Sequence, residues 1–438
     1  LIFGLIVDSH DHKKGIPEIV GELVDSSNIN EFISKTKKLA GRFVIVLQLK
    51  NELIVFPDPS CSIQAAYVID KNYELVLSSN PKLIADYYGF KESAISKQIK
   101  SQAEEIHPLP YDLTMYDEIK LVIPNHYLVC DNRKVIRYYP LEEVERVSSE
   151  KAAQISVSLL ENIVKGYASK TNLSIPLTAG IDSRTVMAIC KELIKEIPLY
   201  TFYHTKFSEN TPDIVMPREI ASRYNLTYYC MNDLELPEDI MNIYRKELGS
   251  CMNTLIAINS YTYFKSKINK YAFLTGDIIP LVKSSFGRNL PEILATPRFL
   301  TTKTHNYSKQ NLMEVKRWVH DISPFVKVSK VSKFDLFFLE HRIGKWAANN
   351  FLNYDLLTNP LNIFNCRELI ELWLSVSRAE RVKKSIHKKI IELTWPELLN
   401  FPINPNRNYE DVIKKSSVLY YVGCFIKYYI NKKFYAQV

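Results

Sequence analysis

The chain has 438 residues, of which 46% are hydrophobic and 24% charged, and its formal net charge at pH 7 is +8. These values are ordinary for a soluble globular protein and exclude a disordered or fibrous chain. The length predicts about two or three domains, with a core large enough to need no disulfide or structural metal. No apolar run approaches the length of a membrane span, and Asp8 and His10 stand near the start, so we expect neither a membrane span nor a secretory signal.

The seven cysteines indicate a reducing compartment. They are odd in number, scattered along the chain and without a C-x-x-C pair. This pattern argues against a disulfide framework and against a zinc ribbon. We therefore expect a cytoplasmic protein with free thiols.

The positive charge is modest and mostly spread out. Its densest clusters are pairs of lysines toward the C-terminus, at 383–384, 388–389, 414–415 and 432–433. We interpret them as solvated helix faces. The alternative is a surface for an anionic partner such as a transfer RNA, a carrier or a nucleotide sugar. Nucleic acid is therefore not the expected partner, although the charge leaves it open.

Residues 1–145 have the pattern of a β-rich domain. Short runs heavy in Val, Ile, Phe and Tyr recur between Asp-Pro, Lys-Asn and Ser-Asn turns, as is typical of strands joined by turns. The predicted strands are 2–7, 42–47, 53–56, 65–69, 74–78, 120–130 and 135–139.

From about residue 146 the pattern changes to alternating helices and strands, beginning with a long amphipathic helix, Ser149–Ala168. Short apolar runs then predict parallel strands that are buried on both faces. These strands are 175–178, 199–204, 226–231 and Ala272–Thr275, with helices at 214–224 and 237–267 between the later ones. After Asp335 the pattern is almost all helical. The helices expected there are 335–350, Arg367–Ser375, 379–393 and 409–434, the last one broken near Gly423.

The most informative stretch, from Ser174 to Cys190, reads S-I-P-L-T-A-G-I-D-S-R-T-V-M-A-I-C. A predicted strand turns here through small residues into a helix, so free amides and the positive end of the helix dipole point at one spot. The side chains of this stretch suit a pyrophosphate. They supply two hydroxyls, a carboxylate that caps the helix or holds a cation, and the charge of an arginine, and the glycine lets the backbone come close to the ligand. The candidate ligands are Thr178, Ala179, Gly180, Asp182, Ser183 and Arg184.

This loop resembles the S-G-G-x-D-S motif of the ATP pyrophosphatases, with Thr178 in place of the first Ser and Ala179 in place of the first Gly. In that family the loop grips the β- and γ-phosphates of ATP while a carboxylate or carbonyl substrate is adenylated. The loop is not a Walker loop, because no G-K-[ST] follows. The alternative interpretation is an N-capped helix after a core strand.

Further segments, taken in order, resemble the asparagine synthetase and β-lactam synthetase group over nearly the whole chain. G-R-F-V-I-V at 41–46 and I-V-F-P-D-P at 54–59 resemble its G-x-F-A strand and its R-D-P turn. L-S-S-N-P-K-L at 77–83 and I-P-N-H-Y-L at 123–128 are similar to its A-S-E-x-K-A-L and P-P-G-H segments. L-T-G-D-I-I-P-L at 274–281 resembles the L-T-G-x-G-x-D-I-P-L form of the β-lactam synthetases.

The resemblance implies a fold class that combines α+β and α/β parts. Residues 1–145 would form a β-rich glutaminase-like domain of the N-terminal-nucleophile (Ntn) hydrolase type, which we expect to be inactive. Residues 146–438 would form a pyrophosphate-loop synthetase domain. That domain would have an adenine-nucleotide α-hydrolase-like parallel sheet and a helical C-terminal region.

The resemblance also implies roles outside the loop. Asp277 would hold Mg²⁺ together with Asp182 against the phosphates. Apart from the resemblance, Tyr203 lies near the end of the predicted strand 199–204, and the end of the second strand in such sheets commonly lines the purine pocket. Asp355 is the candidate for the carboxylate of the family's Tyr–Glu catalytic dyad, with a capping or surface role as the alternative. Arg407 is the candidate for the positive charge that the family supplies with a Lys, with an ordinary surface role as the alternative.

Two departures from the family pattern bear on function. Active glutaminases of this type carry an N-terminal Cys that attacks glutamine, whereas this sequence opens Leu1-Ile2-Phe3-Gly4 and its first cysteine is Cys61. We therefore expect no glutamine hydrolysis, as in the β-lactam synthetases, which use an amine already on the substrate. The segment around Asp277 is shorter than the family pattern and lacks its Tyr, which weakens the dyad.

The expected activity is that of an ATP-dependent, adenylate-forming amide ligase that uses ATP and Mg²⁺ and releases AMP and pyrophosphate. Its substrates would be a small-molecule or peptide carboxylate and an amine, and a partner protein or a homodimer stays open. One alternative is a pyrophosphate-loop enzyme that modifies RNA, supported only by the net charge. Another is a non-catalytic scaffold that binds a partner.

Overall fold

The computed structural model describes residues 1–94, 96–97, 109–304, 306, 308–405 and 416–435. The strands of the first part of the chain are β1 Ile2–Asp8, β2 Leu39–Leu49, β3 Glu52–Pro57, β4 Ala65–Val68, β5 Leu77–Ser78, β6 Ile119–Val122, β7 His126–Val129 and β8 Lys134–Arg137. They form two antiparallel sheets, one of five strands in the order β1-β2-β3-β7-β8 and one of three in the order β5-β4-β6.

Alternating side chains of β2 explain how these two sheets stack, because successive residues of a strand point to opposite faces. Phe43 packs with the helices Ile16–Val24 and Ile29–Thr36 on the outer face of the larger sheet. Its neighbour Val44 packs instead into the apolar layer shared with the three-stranded sheet. The helix Pro81–Tyr88 covers the far face of that smaller sheet. The layers therefore run helix, sheet, sheet, helix.

The second part of the chain contains a parallel sheet. Its strands are β9 Leu173–Pro176, β10 Leu199–Tyr203, β11 Tyr228–Asn232, β12 Ala272–Thr275 and β13 Pro360–Asn362. All neighbouring pairs are parallel, and the strand order is β11-β10-β9-β12-β13. From β9 the chain first adds β10 and then β11 on one side. It then crosses over and adds β12 and β13 on the other side of β9. This reversal is the switch point where open α/β sheets bind ligands, beyond the carboxyl ends of the strands.

Helices cover both faces of the parallel sheet. Leu199 packs into the large core shared with the helices Ser149–Ala168 and Ile181–Ile189, whereas its neighbour Tyr200 packs on the opposite face with the helix Thr254–Phe264. The other helices of this part are Pro212–Tyr224, Glu238–Leu248, Pro297–Thr301, Lys309–Ser329, Lys333–Phe337, the π-helical segment Phe338–Ala347, Ala348–Tyr354, Arg367–Ser375, Arg378–Val382, Ser385–Thr394 and Ser417–Tyr435. The mixed α/β class and the parallel sheet predicted from the sequence are confirmed.

The structure corrects several predicted element boundaries. The predicted strand 120–130 is two strands, because Pro124 and Asn125, with φ of 72°, turn the chain between β6 and β7. The predicted helix 237–267 is likewise split at Gly249, whose φ is 51°. No break occurs at Gly423, which lies inside the helix Ser417–Tyr435. β13 and the helix Lys309–Ser329 were not predicted from the sequence.

The two parts of the chain are joined by close backbone contacts. Gly41 of β2 donates its N–H to the carbonyl of Asn365 at 3.1 Å, and Ala40 forms an isolated antiparallel bridge with Cys366. Gly41 has a φ of 139°, and a Cβ there would lie 2.1 Å from the carbonyl oxygen of Leu5, so only glycine fits. Over the described stretches of the chain, no helix combines the length and apolar character that crossing a membrane requires.

Candidate functional site

The predicted phosphate loop lies at the switch point of the parallel sheet. β9 ends at Pro176, and the chain passes through Gly180 into the helix Ile181–Ile189. Gly180 is the N-cap of this helix, and among the described residues no side chain caps it. The first amides of an α-helix have no acceptor within the helix and carry the positive end of its dipole. The helix start can therefore receive an anion.

Hydrogen bonds within the loop fix its shape. The Ser183 hydroxyl accepts from the N–H of Thr178 at 3.1 Å and lies 3.0 Å from the Thr178 hydroxyl. The Thr178 hydroxyl also accepts from the N–H of Gly180 at 3.1 Å. The N–H of Ala179 donates at 3.1 Å to the carboxylate of Asp213, in the first turn of the helix Pro212–Tyr224. Asp213 was missed as a site residue, because nothing in its spacing to the loop indicates the contact.

Asp182 lies in the first turn of the loop helix, and both of its carboxylate oxygens have partners. Lys283 Nζ donates to Oδ2 at 2.5 Å, and His387 Nε2 lies 3.1 Å from Oδ1. Burial alone would raise the pKa of Asp182, but the hydrogen bond from His387 and the charge of Lys283 lower this pKa to about 2. The loop therefore carries a full negative charge at neutral pH, matched by one lysine.

The two partners of Asp182 come from distant segments. Lys283 ends the 3₁₀ turn Ile279–Lys283, which follows Asp277, and the fully buried His387 lies on the helix Ser385–Thr394. Burial lowers the pKa of His387, although its hydrogen bond to Asp182 opposes that shift. A neutral imidazole donating from Nε2 satisfies the contact. Neither residue was predicted as part of the site, since both contact Asp182 only through the fold.

Asp277 follows β12, on the other side of the switch point. A Cβ placed on Gly276 would lie 3.9 Å from Cβ of Asp182, so the two turns are in contact. Burial raises the pKa of Asp277, and Thr275 and the nearby charge of Arg342 only partly oppose the shift. Within the described part of the chain, the Asp277 carboxylate forms no ion pair at 4.0 Å or less.

These carboxylates pass a test of fit for Mg²⁺. The ion takes oxygen ligands and is usually held by one or two protein carboxylates together with substrate phosphates. Asp277 offers a half-buried carboxylate whose charge is not matched by an ion pair among the described residues. Asp182 is the second carboxylate at the same edge, but Lys283 holds it. Among the described residues, no group of three or more His, Cys, Asp and Glu is arranged to hold a metal ion, so phosphate oxygens would have to complete the coordination.

Arg184 requires a correction, because it does not face the loop. It is fully buried, and its guanidinium donates to the carbonyls of Leu398, Phe401 and Pro402 at 3.3, 2.7 and 3.1 Å. Burial lowers its pKa to about 10. Residues two positions apart in a helix point in different directions. Because Asp182 faces the crevice, Arg184 is turned into the core and ties down the segment after the 3₁₀ turn Pro396–Asn400.

That segment brings another residue to the loop. Asn404 donates its N–H to the carbonyl of Ala179 at 3.0 Å. Its side-chain oxygen lies 3.5 Å from the position of a Cβ on Gly180. That is an ordinary contact distance, whereas the Thr178 hydroxyl would lie only 3.1 Å from the same Cβ, so a larger residue would crowd Thr178. The predicted residue Arg407 follows shortly after, and it lies outside the described residues.

The remaining predicted residues lie away from these loop contacts. Tyr203 ends β10 at the same edge of the sheet, with a partly exposed side chain. Its carbonyl accepts from the N–H of Asp233 at 3.3 Å. Asp355 ends the helix Ala348–Tyr354, and both of its oxygens accept from Arg42 of β2 at 2.8 Å. This geometry favours the capping and surface alternative for Asp355 over the dyad.

No family model matches the sequence, and no curated protein does. Among the solved structures that resemble part of the chain is the NH3-dependent NAD synthetase from Campylobacter jejuni, at 16% identity and a TM-score of 0.23, over 45% of this chain and 85% of that one. The NMN synthetase from Francisella tularensis has 13% identity and a TM-score of 0.24, over 55% and 96%. The glutamine-dependent NAD+ synthetase from Acinetobacter baumannii has 12% identity and a TM-score of 0.24, over 54% and 49%. Values this low carry no argument about activity.

Proposed function

We propose that the protein is an ATP-dependent amide ligase that activates a carboxylate as its adenylate, similar to asparagine synthetases but without glutaminase activity. The observation that carries the proposal is the uncapped helix start at Gly180 at the switch point of a parallel sheet, where the first turn of the helix, at Asp182, contacts the turn that precedes Asp277. Helix amides receive phosphate oxygens, and carboxylates at the neighbouring strand end suit the cation that accompanies them. Thr178, Ala179 and Ser183 shape the loop for this task.

In the first step a carboxylate oxygen of the acid attacks the α-phosphorus of ATP. The bond between that phosphorus and the bridging oxygen to the β-phosphate breaks, and pyrophosphate leaves. Negative charge grows on the bridging oxygen and on the pyrophosphate, so donors fixed beforehand near these atoms lower the barrier. The first amides of the helix Ile181–Ile189 and the hydroxyls of Thr178 and Ser183 are the donors available at the loop.

In the second step an amine attacks the acyl carbon of the adenylate. A C–N bond forms, the bond from the acyl carbon to the AMP oxygen breaks, and the amine loses a proton to a base or to solvent. The products are an amide and AMP. Arg407 and Tyr203 keep their predicted roles, near the acyl group and near the purine respectively. Asp355 is left out, because Arg42 holds its carboxylate.

The proposed metal ligands are Asp182 and Asp277. A bound Mg²⁺ supplies charge neutralisation at the leaving pyrophosphate. Of the two carboxylates, Asp277 makes no ion pair among the described residues, whereas Asp182 has to give up Lys283 before it can act as a ligand.

We propose that residues 1–145 form an inactive Ntn glutaminase-like domain and that a free amine, rather than hydrolysed glutamine, is the nitrogen donor. The helix, sheet, sheet, helix layering supports the first part. For the second, both cysteines of this half, Cys61 and Cys130, are buried, and burial raises the pKa of each thiol. Thiols with raised pKa values are poor nucleophiles. Release of glutamate from glutamine that thiol alkylation blocks would contradict this part.

The remaining proposals concern surroundings and partners. All seven cysteines are free thiols, which supports a cytoplasmic location. The acid and amine substrates are proposed to be small molecules or peptide groups. A partner protein or a homodimer stays an open proposal, and nucleic acid is not the proposed partner.

The decisive experiment is exchange between ATP and radiolabelled pyrophosphate with a panel of carboxylic acids and Mg²⁺. We expect exchange that depends on one class of acid. Asp182→Ala should abolish it while the thermal unfolding curve keeps its cooperativity, and the exposed Glu196→Ala should serve as the unaffected control. Wild-type activity in the Asp182 variant would refute the assignment of the loop. Turnover that requires added transfer RNA instead of an acid would support the RNA-modifying alternative.

A further inference from the structure

The ion pair between Lys283 and Asp182 lies at the first turn of the helix that follows the phosphate loop. The Lys283 ammonium lies 2.5 Å from Oδ2 of Asp182, and the two side chains are 25% and 26% exposed. Neither partner is sealed into the core. An incoming anion can therefore reach the ammonium without unfolding the crevice.

Lys283 also supplies a charge that the loop otherwise lacks. Arg184 was predicted to supply the positive charge for the phosphates, but its guanidinium is hydrogen-bonded to backbone carbonyls in the core. Within the described residues, Lys283 is the permanently charged side chain that pairs with the loop. A polyphosphate carries several negative charges, and lysine commonly binds phosphate through its ammonium charge. Lys283 therefore has the chemistry of a phosphate ligand.

The backbone on either side of Lys283 is held in place. The carbonyl of Leu281 accepts from Arg381 at 3.0 Å. Ser284 is buried in the left-handed region with a φ of 48°, and its hydroxyl donates to Asp335 at 2.9 Å. Backbone strain at a residue other than glycine persists only where the surroundings enforce it. The fold therefore fixes the backbone of Lys283, while rotation about the side-chain bonds allows the ammonium to contact a different partner.

We propose that Lys283 is a phosphate-binding residue, whose ammonium leaves Asp182 and donates to the pyrophosphate portion of the nucleotide. This inference rests on the proposed function, because it assigns a ligand to the same loop. His387 stays bonded to Oδ1 and keeps Asp182 oriented after the exchange. The departure of Lys283 also frees Oδ2 of Asp182. The competing interpretation is a permanent ion pair that only stabilises the fold.

Direct binding of inorganic pyrophosphate separates these interpretations. Calorimetric titration in EDTA removes any metal bridge, so that the affinity reports the contacts of the protein alone. We expect Lys283→Met to weaken binding by about tenfold or more, and Lys283→Arg, which keeps the charge, to stay within about threefold of wild type. Lys165→Met is the matched control, because Lys165 pairs with Glu192 at 2.8 Å on a distant surface. Thermal unfolding of each variant checks that the fold is kept.

Asp182→Asn gives a second test with the opposite sign. The amide removes a negative charge from the site and releases Lys283, so pyrophosphate should bind more tightly in EDTA than to wild type. Loss of the negative charge by itself also favours an anion, so the contribution of Lys283 is the part of the gain that adding Lys283→Met to Asp182→Asn abolishes. Wild-type affinity in Lys283→Met, or weaker binding in Asp182→Asn, would overturn the role of Lys283.

The two proposals fail separately. A protein that binds pyrophosphate through Lys283 but exchanges pyrophosphate with ATP for no acid would lose the proposed reaction and keep this binding residue. Acid-dependent exchange together with wild-type pyrophosphate affinity in Lys283→Met would support the proposed reaction and refute the role of Lys283. A wild-type protein that binds no pyrophosphate, with or without Mg²⁺, overturns the inference about Lys283.

Discussion

Arg42 binds both carboxylate oxygens of Asp355, each at 2.8 Å, and the two residues belong to different parts of the chain. The guanidinium is nearly buried and lies 4.5 Å from the ring centre of Phe351, whereas the carboxylate is 42% exposed. A bidentate pair of this kind is specific in geometry. It attaches β2, at the start of the chain, to the end of the helix Ala348–Tyr354 beside the parallel sheet.

The first prediction follows from this pair. Asp355→Ala should lower the free energy of unfolding by about 1–3 kcal/mol, because it leaves a nearly buried guanidinium without its counter-ion. Amide formation per folded molecule should be unchanged. Urea unfolding and single-turnover assays on the same preparation measure the two effects. Loss of amide formation with normal stability would instead restore Asp355 to the catalytic dyad.

The second prediction concerns Asp277. If this carboxylate holds Mg²⁺, Asp277→Asn should slow adenylate formation by orders of magnitude and change its dependence on Mg²⁺ concentration, because one ligand charge is lost. If the side chain only caps the turn before Pro280, asparagine is a nearly neutral replacement. Pre-steady-state release of pyrophosphate at several Mg²⁺ concentrations distinguishes the two. An unchanged rate and Mg²⁺ dependence would favour the non-catalytic scaffold.

The third prediction separates Arg184 from the phosphate site. Arg184→Met should lower the free energy of unfolding by about 2–4 kcal/mol, because three backbone carbonyls lose their donor in the core. The affinity for pyrophosphate should fall much less than in Lys283→Met. Arg218→Met, which removes an exposed arginine paired with Glu209, serves as the control for stability. A variant with normal stability and lost pyrophosphate binding would contradict the position of Arg184.

The fourth prediction concerns Lys345 and pH. This lysine is 3% exposed in the π-helical segment Phe338–Ala347, where it donates to the carbonyl of Leu113, and burial lowers its pKa to about 7. An unfolded lysine titrates near 10.5. Between these values the unfolded chain binds more protons than the folded one, so this group makes the free energy of unfolding rise with pH.

Lys345→Met removes that titration. We expect the stability of wild type relative to Lys345→Met to increase from pH 7 toward pH 10, and to be lowest and level below pH 7. Urea unfolding of both proteins across this range measures the difference, and Lys330→Met, at an exposed lysine, provides the control. Parallel profiles for wild type and Lys345→Met would show that the buried amine does not titrate in this range.

The sequence predicted best what depends on local pattern. The apolar runs of β2, β9, β10 and β12 predicted these strands, and the helix Ser149–Ala168 was predicted with its observed ends. β13 was missed, because three residues, Pro360–Asn362, are too few to show a period. The helix Lys309–Ser329 was missed although its length is typical, and its internal Pro324 obscures the pattern.

Residue spacing alone predicted the site only where it is continuous in sequence, and Asp277 was added through the family resemblance. Thr178, Gly180 and Ser183 form one turn, so their spacing predicts their contact. Lys283 and His387 reach Asp182 from separate segments, and a single sequence has no pattern that joins them. The role predicted for Arg184 was wrong because its side chain points into the core rather than toward the loop. The motif indicates which residues are present, but the direction of each depends on which face of the helix is packed into the core.

The hydrogen bond between the Ala179 amide and Asp213 has a consequence for engineering. The shape of the loop is set partly by a carboxylate that belongs to the helix after β10, and partly by the Asn404 amide that donates to the Ala179 carbonyl. The stretch from Thr178 to Ser183 is therefore not expected to keep its conformation when it is moved alone into another protein. Transplanted alone after a strand of another protein, it would carry its hydroxyls but lose the two outside contacts that hold its middle peptide. A transplant that keeps the geometry has to include all three pieces of chain.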